Sequence, residues 1–265
     1  MPELIRITDP DDPRVGDYRA LTDAALRKRY EHQAGVFVAE GPNVVLRLLE
    51  SRYPLRSVLL TTPRVATFTP HLADVDAPVY VVDLDVMTQL VRFPLHQGVV
   101  AVGGRLPRPE PVEVLSGADR VVVLESMNDH ENMGAIFRTA RGLGADAVLL
   151  GPQSADPLYR RCVRVSMGHV LHVPFTTMDA PPEGLAPLRA AGFRLVALTP
   201  DLAARPLDDV PRDGPLALLV GAEGPGLSPA ALTAADVRAR IPMAADVDSL
   251  NVAAATAIAL HALRG

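Results

Sequence analysis

Between Arg120 and Ile241 the chain alternates unbroken Val, Leu and Ala runs with stretches of helical spacing, and this alternation restricts the fold most. The apolar runs Val121–Leu124, Ala147–Leu150, His172–Phe175, Phe193–Leu198, Leu216–Val220 and Val237–Ile241 read as strands. Gly134–Leu143, Leu158–Ser166, Gly184–Ala191 and Pro229–Ala235 read as intervening helices, and Leu250–Leu263 closes the chain. Strands that are apolar on both faces need cover on both faces, and helical crossovers make their neighbours parallel. The expectation is an α/β fold with a parallel sheet.

The first hundred residues read as a separate, small α/β unit. Helices are expected over Asp17–Gln33, Asn43–Glu50 and Asp85–Val91, and strands over Val36–Glu40, Ser57–Thr61, Val79–Val82 and Gly98–Val102. Leu106-Pro107-Arg108-Pro109-Glu110-Pro111 then forms a connector, because closely spaced prolines keep a segment extended. This divides the chain into a domain over 1–104, a linker over 105–118 and a domain over 119–265.

A hydrophobic share of 48% against 22% charged residues excludes a disordered tail or a solvated coiled coil. No apolar run is long enough to span a bilayer, and the N-terminus lacks the layout of a signal peptide. Cys162 is the sole cysteine and has no partner for an internal disulfide. These features predict a cytoplasmic protein without membrane contact. The histidines show no ligand spacing with one another or with Cys162, so no metal is expected. A net charge of −5 argues against a general nucleic-acid coat but leaves room for local arginine patches. Lys28 is the only lysine, and arginine forks onto phosphates bidentately.

Three segments carry candidate chemistry. Asn128 to Arg141 leaves the carboxyl end of a strand and enters a helix, where open α/β sheets bind ligands. Asn132 is placed to cap this helix, and Arg138 and Arg141 share one of its faces. The second, Val220-Gly221-Ala222-Glu223-Gly224-Pro225-Gly226-Leu227, is a tight turn with exposed amides and little side-chain bulk. It lacks the Gly-Lys-Ser/Thr ending of a phosphate loop and the spacing of a dinucleotide fingerprint. The third runs from Ile241-Pro242-Met243 to Ser249-Leu250-Asn251-Val252: strand end, loop and helix start. Asp248 or Ser249 is its candidate N-cap, which leaves Asn251 in the first turn, where asparagine is a poor helix former.

Taken together, the three segments resemble the SpoU, or TrmH, family of RNA ribose 2′-O-methyltransferases within the SPOUT class. The matching residues are Asn132-x-Gly134-Ala135-Ile136-x-Arg138-x-Ala140, Gly221-x-Glu223-Gly224-x-Gly226-Leu227, and Ile241-Pro242-Met243 with Ser249-Leu250-Asn251-Val252. The N-terminal part is similar to the family's small substrate-binding domain through Val38-Ala39-Glu40-Gly41-Pro42 and His96-Gln97-Gly98-Val99-Val100-Ala101. The motifs depart from relatives at Ala222, where some carry asparagine, and at Ala244-Ala245, where glycine is common.

The resemblance implies a C-terminal domain whose parallel sheet is closed by a deep trefoil knot, a topology that pattern alone would not suggest. It implies S-adenosylmethionine held by the knot loops, through Gly221, Gly226, Ile241, Met243 and Leu250. Catalysis falls to Arg138, Asn132, Glu223, Ser249 and Asn251. The family's scheme makes Arg138 a base; stabilising a developing alkoxide or gripping a phosphate suits a guanidinium better. A homodimer packed through the knot would bury the apolar terminal helix. The partner is RNA, ribosomal rather than transfer, with Arg27, Lys28, Arg29 and Arg141 as candidate contacts and Arg160, Arg161 and Arg164 as a second cluster. The alternative is a non-catalytic RNA-binding or ribosome assembly factor on the same fold.

Overall fold

The computed structural model describes residues 3–264 except Thr22, Pro94 and His96, with the backbone alone for residues 24–28. His96 of the N-terminal motif and the side chains of Arg27 and Lys28 therefore lie outside the described residues. The chain forms two compact units. One runs to Leu106 and takes in Leu158–His172; the other comprises Pro107–Pro157 and the chain from Val173 onward.

The first unit holds β1 (Leu4–Arg6), α1 (Ala24–Gln33), β2 (Val36–Glu40), α2 (Pro42–Leu49), β3 (Leu55–Thr61), α3 (Val65–Phe68), β4 (Val79–Val82), α4 (Leu84–Val91) and β5 (Val99–Gly104). Its sheet has the order β1-β4-β3-β5-β2, with β5 antiparallel to both neighbours and the other pairs parallel. Ile7, Val38, Leu59, Met87, Leu90 and Val102 belong to one core cluster. Tyr18 is fully buried there, its hydroxyl 2.6 Å from Ser57 Oγ, and burial pushes the phenol pKa above its ordinary value.

The second unit holds α5 (Pro111–Leu115), β6 (Arg120–Glu125), α6 (His130–Gly142) and β7 (Ala147–Leu150). After α7 (Arg160–Val165), which belongs to the first unit, it continues with β8 (Phe175–Thr177), α8 (Ala186–Ala190), β9 (Arg194–Leu198), β10 (Arg205–Pro206), β11 (Leu216–Gly221), α9 (Pro229–Ala234), β12 (Val237–Arg240) and α10 (Val252–Ala262). Its seven-stranded sheet has the order β10-β12-β9-β11-β6-β7-β8, and every pair is parallel. Val121 and Val123 share a core cluster with Leu149, Leu185, Leu195 and Leu219, and α10 packs on α6 and β11. Burial on both faces is why these strands read as continuous apolar runs.

Three expectations are corrected. The helix expected over Asp17–Gln33 is a 3₁₀ turn over Pro13–Tyr18 followed by α1, because Ala20 turns to a φ of 50° and donates its N–H to Leu90. The strand expected over His172–Phe175 starts only at Phe175: Pro174 has no N–H for the ladder, and His169–Leu171 close a 3₁₀ turn. Inside the proline-rich connector Pro111 opens α5, since proline suits a first helical turn, and Glu113 accepts the Glu110 N–H at 3.2 Å. Leu158–His172, adjoining the C-terminal motifs in sequence, packs within the first unit, where Arg160 donates to Glu40 at 2.6 Å and Arg47 to the Met167 carbonyl at 2.5 Å. The strands β1 and β10 were too short to show a period.

Candidate active site

The carboxyl ends of β9, β11 and β12 open onto one cleft of about 420 Å³, within the range of small-molecule sites. Three segments line it: Leu198-Thr199-Pro200 after β9, Val220 to Gly226 after β11, and Ile241 to Ala255 leading from β12 into α10. Gly221, Gly226, Ile241, Met243 and Leu250 all lie on its wall, as do Glu223, Ser249 and Asn251. Leu198, Thr199 and Pro200 were not anticipated, although their place after a parallel strand's carboxyl end is the signal that could have found them.

The β11 loop is folded tightly on itself. Gly226 donates its N–H to the Ala222 carbonyl at 3.0 Å, and a Cβ on Gly221 would stand 2.1 Å from the Gly226 carbonyl carbon. Only glycine permits that closeness, and Gly224 and Gly226 adopt φ values of 85° and 69°, where side chains are rarely tolerated. The wall is consequently mostly backbone. Ala245, where relatives commonly carry glycine, has no positive φ, so alanine stands there without backbone strain.

Asn251 organises the other side. It is itself the N-cap of α10, accepting the N–H groups of Ala253 and Ala254 at 3.0 and 3.2 Å, which corrects the assignment of that role to Asp248 or Ser249. Capping occupies its side-chain oxygen and leaves the amide nitrogen free to donate. That nitrogen reaches Asn132 Oδ1 at 2.9 Å and Glu223 Oε1 at 3.1 Å, so one side chain ties all three sequence segments together. Asn132 does not cap α6 as expected. Asp129 does, accepting the Asn132 N–H at 2.8 Å, which leaves the Asn132 side chain, 9% exposed, available to Asn251.

Arg138 and Arg141 are exposed on α6, pair with no described residue and do not line the cleft. Arg29 is likewise exposed on α1. Among the described residues no group of three or more His, Cys, Asp or Glu is placed to hold a metal, and no helix is long and apolar enough to cross a membrane.

The fit to S-adenosylmethionine is chemical as well as spatial. A glycine-rich loop offers main-chain groups for the polar edges of a nucleoside, while Ile241, Met243 and Leu250 offer apolar surface for its ring. Comparison with known proteins agrees. Residues 119–261 match the SpoU rRNA methylase family, and residues 38–107 match the RNA 2′-O ribose methyltransferase substrate-binding family. An uncharacterized tRNA/rRNA methyltransferase of Mycobacterium tuberculosis is 47% identical over 258 residues, covering 96% of this chain and 90% of that protein. The 23S rRNA guanosine-2553 2′-O-methyltransferase of Bacillus subtilis is 27% identical over 98% of this chain and 99% of that protein. The crystal structure of an AdoMet-bound rRNA methyltransferase from Sinorhizobium meliloti superposes with a TM-score of 0.84 at 28% identity, covering 98% of this chain and 97% of the other. The chain belongs to the SpoU rRNA methylase family, whose members are S-adenosylmethionine-dependent RNA ribose 2′-O-methyltransferases.

Proposed function

We propose that this protein methylates a ribose 2′-hydroxyl of ribosomal RNA at the cleft beneath α10. The observation that carries the reading is the double hydrogen bond of Asn251 to Asn132 and Glu223, which ties the first motif segment to the two that line the cleft. S-adenosylmethionine, when bound, supplies a methyl group already activated on a sulfonium. The protein's part is therefore mainly positioning.

In this reading Gly221, Gly226, Ile241, Met243 and Leu250 hold the cofactor, largely by backbone and apolar contact. Asn132, Glu223, Ser249 and Asn251 orient the ribose and the loops around it. Arg138, exposed and without a described partner, stabilises negative charge developing on the 2′-oxygen or grips the neighbouring phosphate. A guanidinium suits either role better than proton abstraction, because it does not give up its proton near neutral pH.

The remaining parts of the reading rest on the family and on surface chemistry. The segment 1–104 serves as the RNA substrate-binding domain, 105–118 as linker and 119–265 as the methyltransferase domain, supported by the two family matches. Arg27, Lys28, Arg29 and Arg141 contact RNA phosphates. The knot loops are the segments after β11 and β12, which converge on the cleft. Two copies pair through this region, as exposed Val247, Leu250 and Ile258 on and before α10 suggest. The compartment is the cytoplasm, and ribosomal RNA is favoured over tRNA by the Bacillus subtilis relative.

The test is transfer of radiolabelled methyl from S-adenosylmethionine to unmodified ribosomal RNA and, separately, to tRNA, followed by nucleoside digestion. Label on a ribose of ribosomal RNA is expected. Label on tRNA alone overturns the substrate class, and absence of both cofactor binding and transfer to either RNA would return the RNA-binding factor as the better reading.

A further inference from the structure

The geometry points to Glu125 as a positioning residue for the cofactor loop: its carboxylate, at the end of β6, holds the return arm of loop 222–227 through the Ser228 N–H. This rests on the reading of the cleft as the S-adenosylmethionine site.

Glu125 is 8% exposed, and its Oε2 accepts the Ser228 main-chain N–H at 2.8 Å across 103 residues of sequence. A carboxylate so buried needs donors, and a bond to a charged acceptor is stronger than one between neutral groups. The loop it controls leaves β11 at Gly221, which is the register partner of Glu125 in the β11–β6 ladder. The loop's entry is thus held by the sheet. Its exit has no ladder to hold it: Leu227 is buried, and Ser228 begins α9, with Ser228 Oγ committed to the Ala231 N–H at 3.1 Å. The main-chain bond to Glu125 ties that exit back to the same pair of strands.

Two parts of the site depend on this joint. Gly221, Ala222, Glu223, Gly224 and Gly226 line the cleft, and Glu223 also receives Asn251. On the other side of Glu125, Ser126 takes a φ of 55° and turns the chain toward α6, which carries Asn132 and Arg138. The carboxylate therefore stands where the loop returns and where the Asn132 helix departs, while touching neither cofactor nor ribose in the proposed mechanism.

The test is S-adenosylmethionine affinity by calorimetry, well below each variant's Tm, in the full-length chain. Glu125→Ala is expected to raise Kd about ten- to a hundredfold, the range for losing a bond to a charged group. Glu125→Gln keeps an acceptor oxygen and is expected within about threefold of the parent. KM for S-adenosylmethionine should rise with Kd while kcat at saturation changes less, a split that mere loss of stability would not produce. If Glu125→Ala does not fold, Ser228→Pro removes the N–H at a φ of −62° that proline accepts, and Ser228→Ala keeps the N–H while losing the cap. Weaker binding by Ser228→Pro than by Ser228→Ala is expected. A folded Glu125→Ala with parental Kd, or equal binding by the two Ser228 variants, overturns the proposal. Failure of the parent to bind overturns the reading of the cleft, and this proposal with it.

Discussion

Asn251 donates to Asn132 at 2.9 Å, joining two side chains that lie 119 residues apart in the chain. The bond uses the amide nitrogen, while the Asn251 oxygen caps α10. Stability and site geometry are therefore separable at this residue. Asn251→Asp keeps the capping oxygen but cannot donate, and sets a carboxylate beside Glu223. It should lower methyl transfer by about a hundredfold or more, the scale for a lost transition-state contact, with little change in Tm. Asn251→Ala should lose the activity and also about 1 kcal/mol of helix capping. Activity assays beside thermal melts check both; parental activity in Asn251→Asp would remove the amide from its proposed role.

Gly221 faces the returning loop and leaves no room for a methyl group. A Cβ would stand 2.3 Å from both the Gly226 oxygen and the Leu227 nitrogen, so Gly221→Ala must push main chain rather than a mobile side chain. Overpacking of this kind costs about 1–3 kcal/mol. The loss should appear in urea denaturation together with weakened S-adenosylmethionine binding. A larger Gly221→Val block would act in the same way, by opening the loop and not by filling the cofactor's space. Tight binding by a stable Gly221→Ala would contradict the loop's place in the site.

The Arg138 side chain makes no hydrogen bond or ion pair to a described residue. Arg138→Ala should therefore leave the unfolding free energy within about 0.5 kcal/mol of the parent's, as for other surface changes, and leave cofactor affinity nearly unchanged. Methyl transfer should nevertheless be lost. Substantial turnover by this variant excludes the guanidinium from the reaction.

Glu40 and Arg160 form an ion pair within the first unit, their side chains only 12% and 18% exposed, and Arg164 approaches the other Glu40 oxygen at 3.8 Å. Removing one partner leaves the other largely buried. Arg160→Ala and Glu40→Ala should each cost about 2–4 kcal/mol, slightly less than for a wholly buried pair because both retain some solvent. The double variant should be less destabilised than the sum, with a coupling of about 1–2 kcal/mol. Strict additivity in chemical denaturation would show that the pair contributes nothing of its own.

The parallel sheet and the glycine loop after β11 were legible because they are local facts. Val121–Leu124, Ala147–Leu150 and Leu216–Val220 advertise double-sided burial in their composition, and the glycines of 221–226 announce a tight turn wherever the chain takes them. The start of α10 was less legible. Ser249, Asp248 and Asn251 all suit an N-cap, and propensity does not rank three capping residues separated by so little.

What the sequence determined by itself was the order of strands and helices and the identity of the loop residues, since periodicity, proline and glycine act over a few neighbours. Tertiary structure alone decided that Asn251 caps α10 while reaching Asn132 and Glu223, that Glu125 receives Ser228, and that Leu158–His172 packs within the N-terminal unit. Each of those outcomes depends on a contact between residues distant in the chain. Such contacts are set by strand register and packing, which bring the donors and acceptors together only after the local elements have formed.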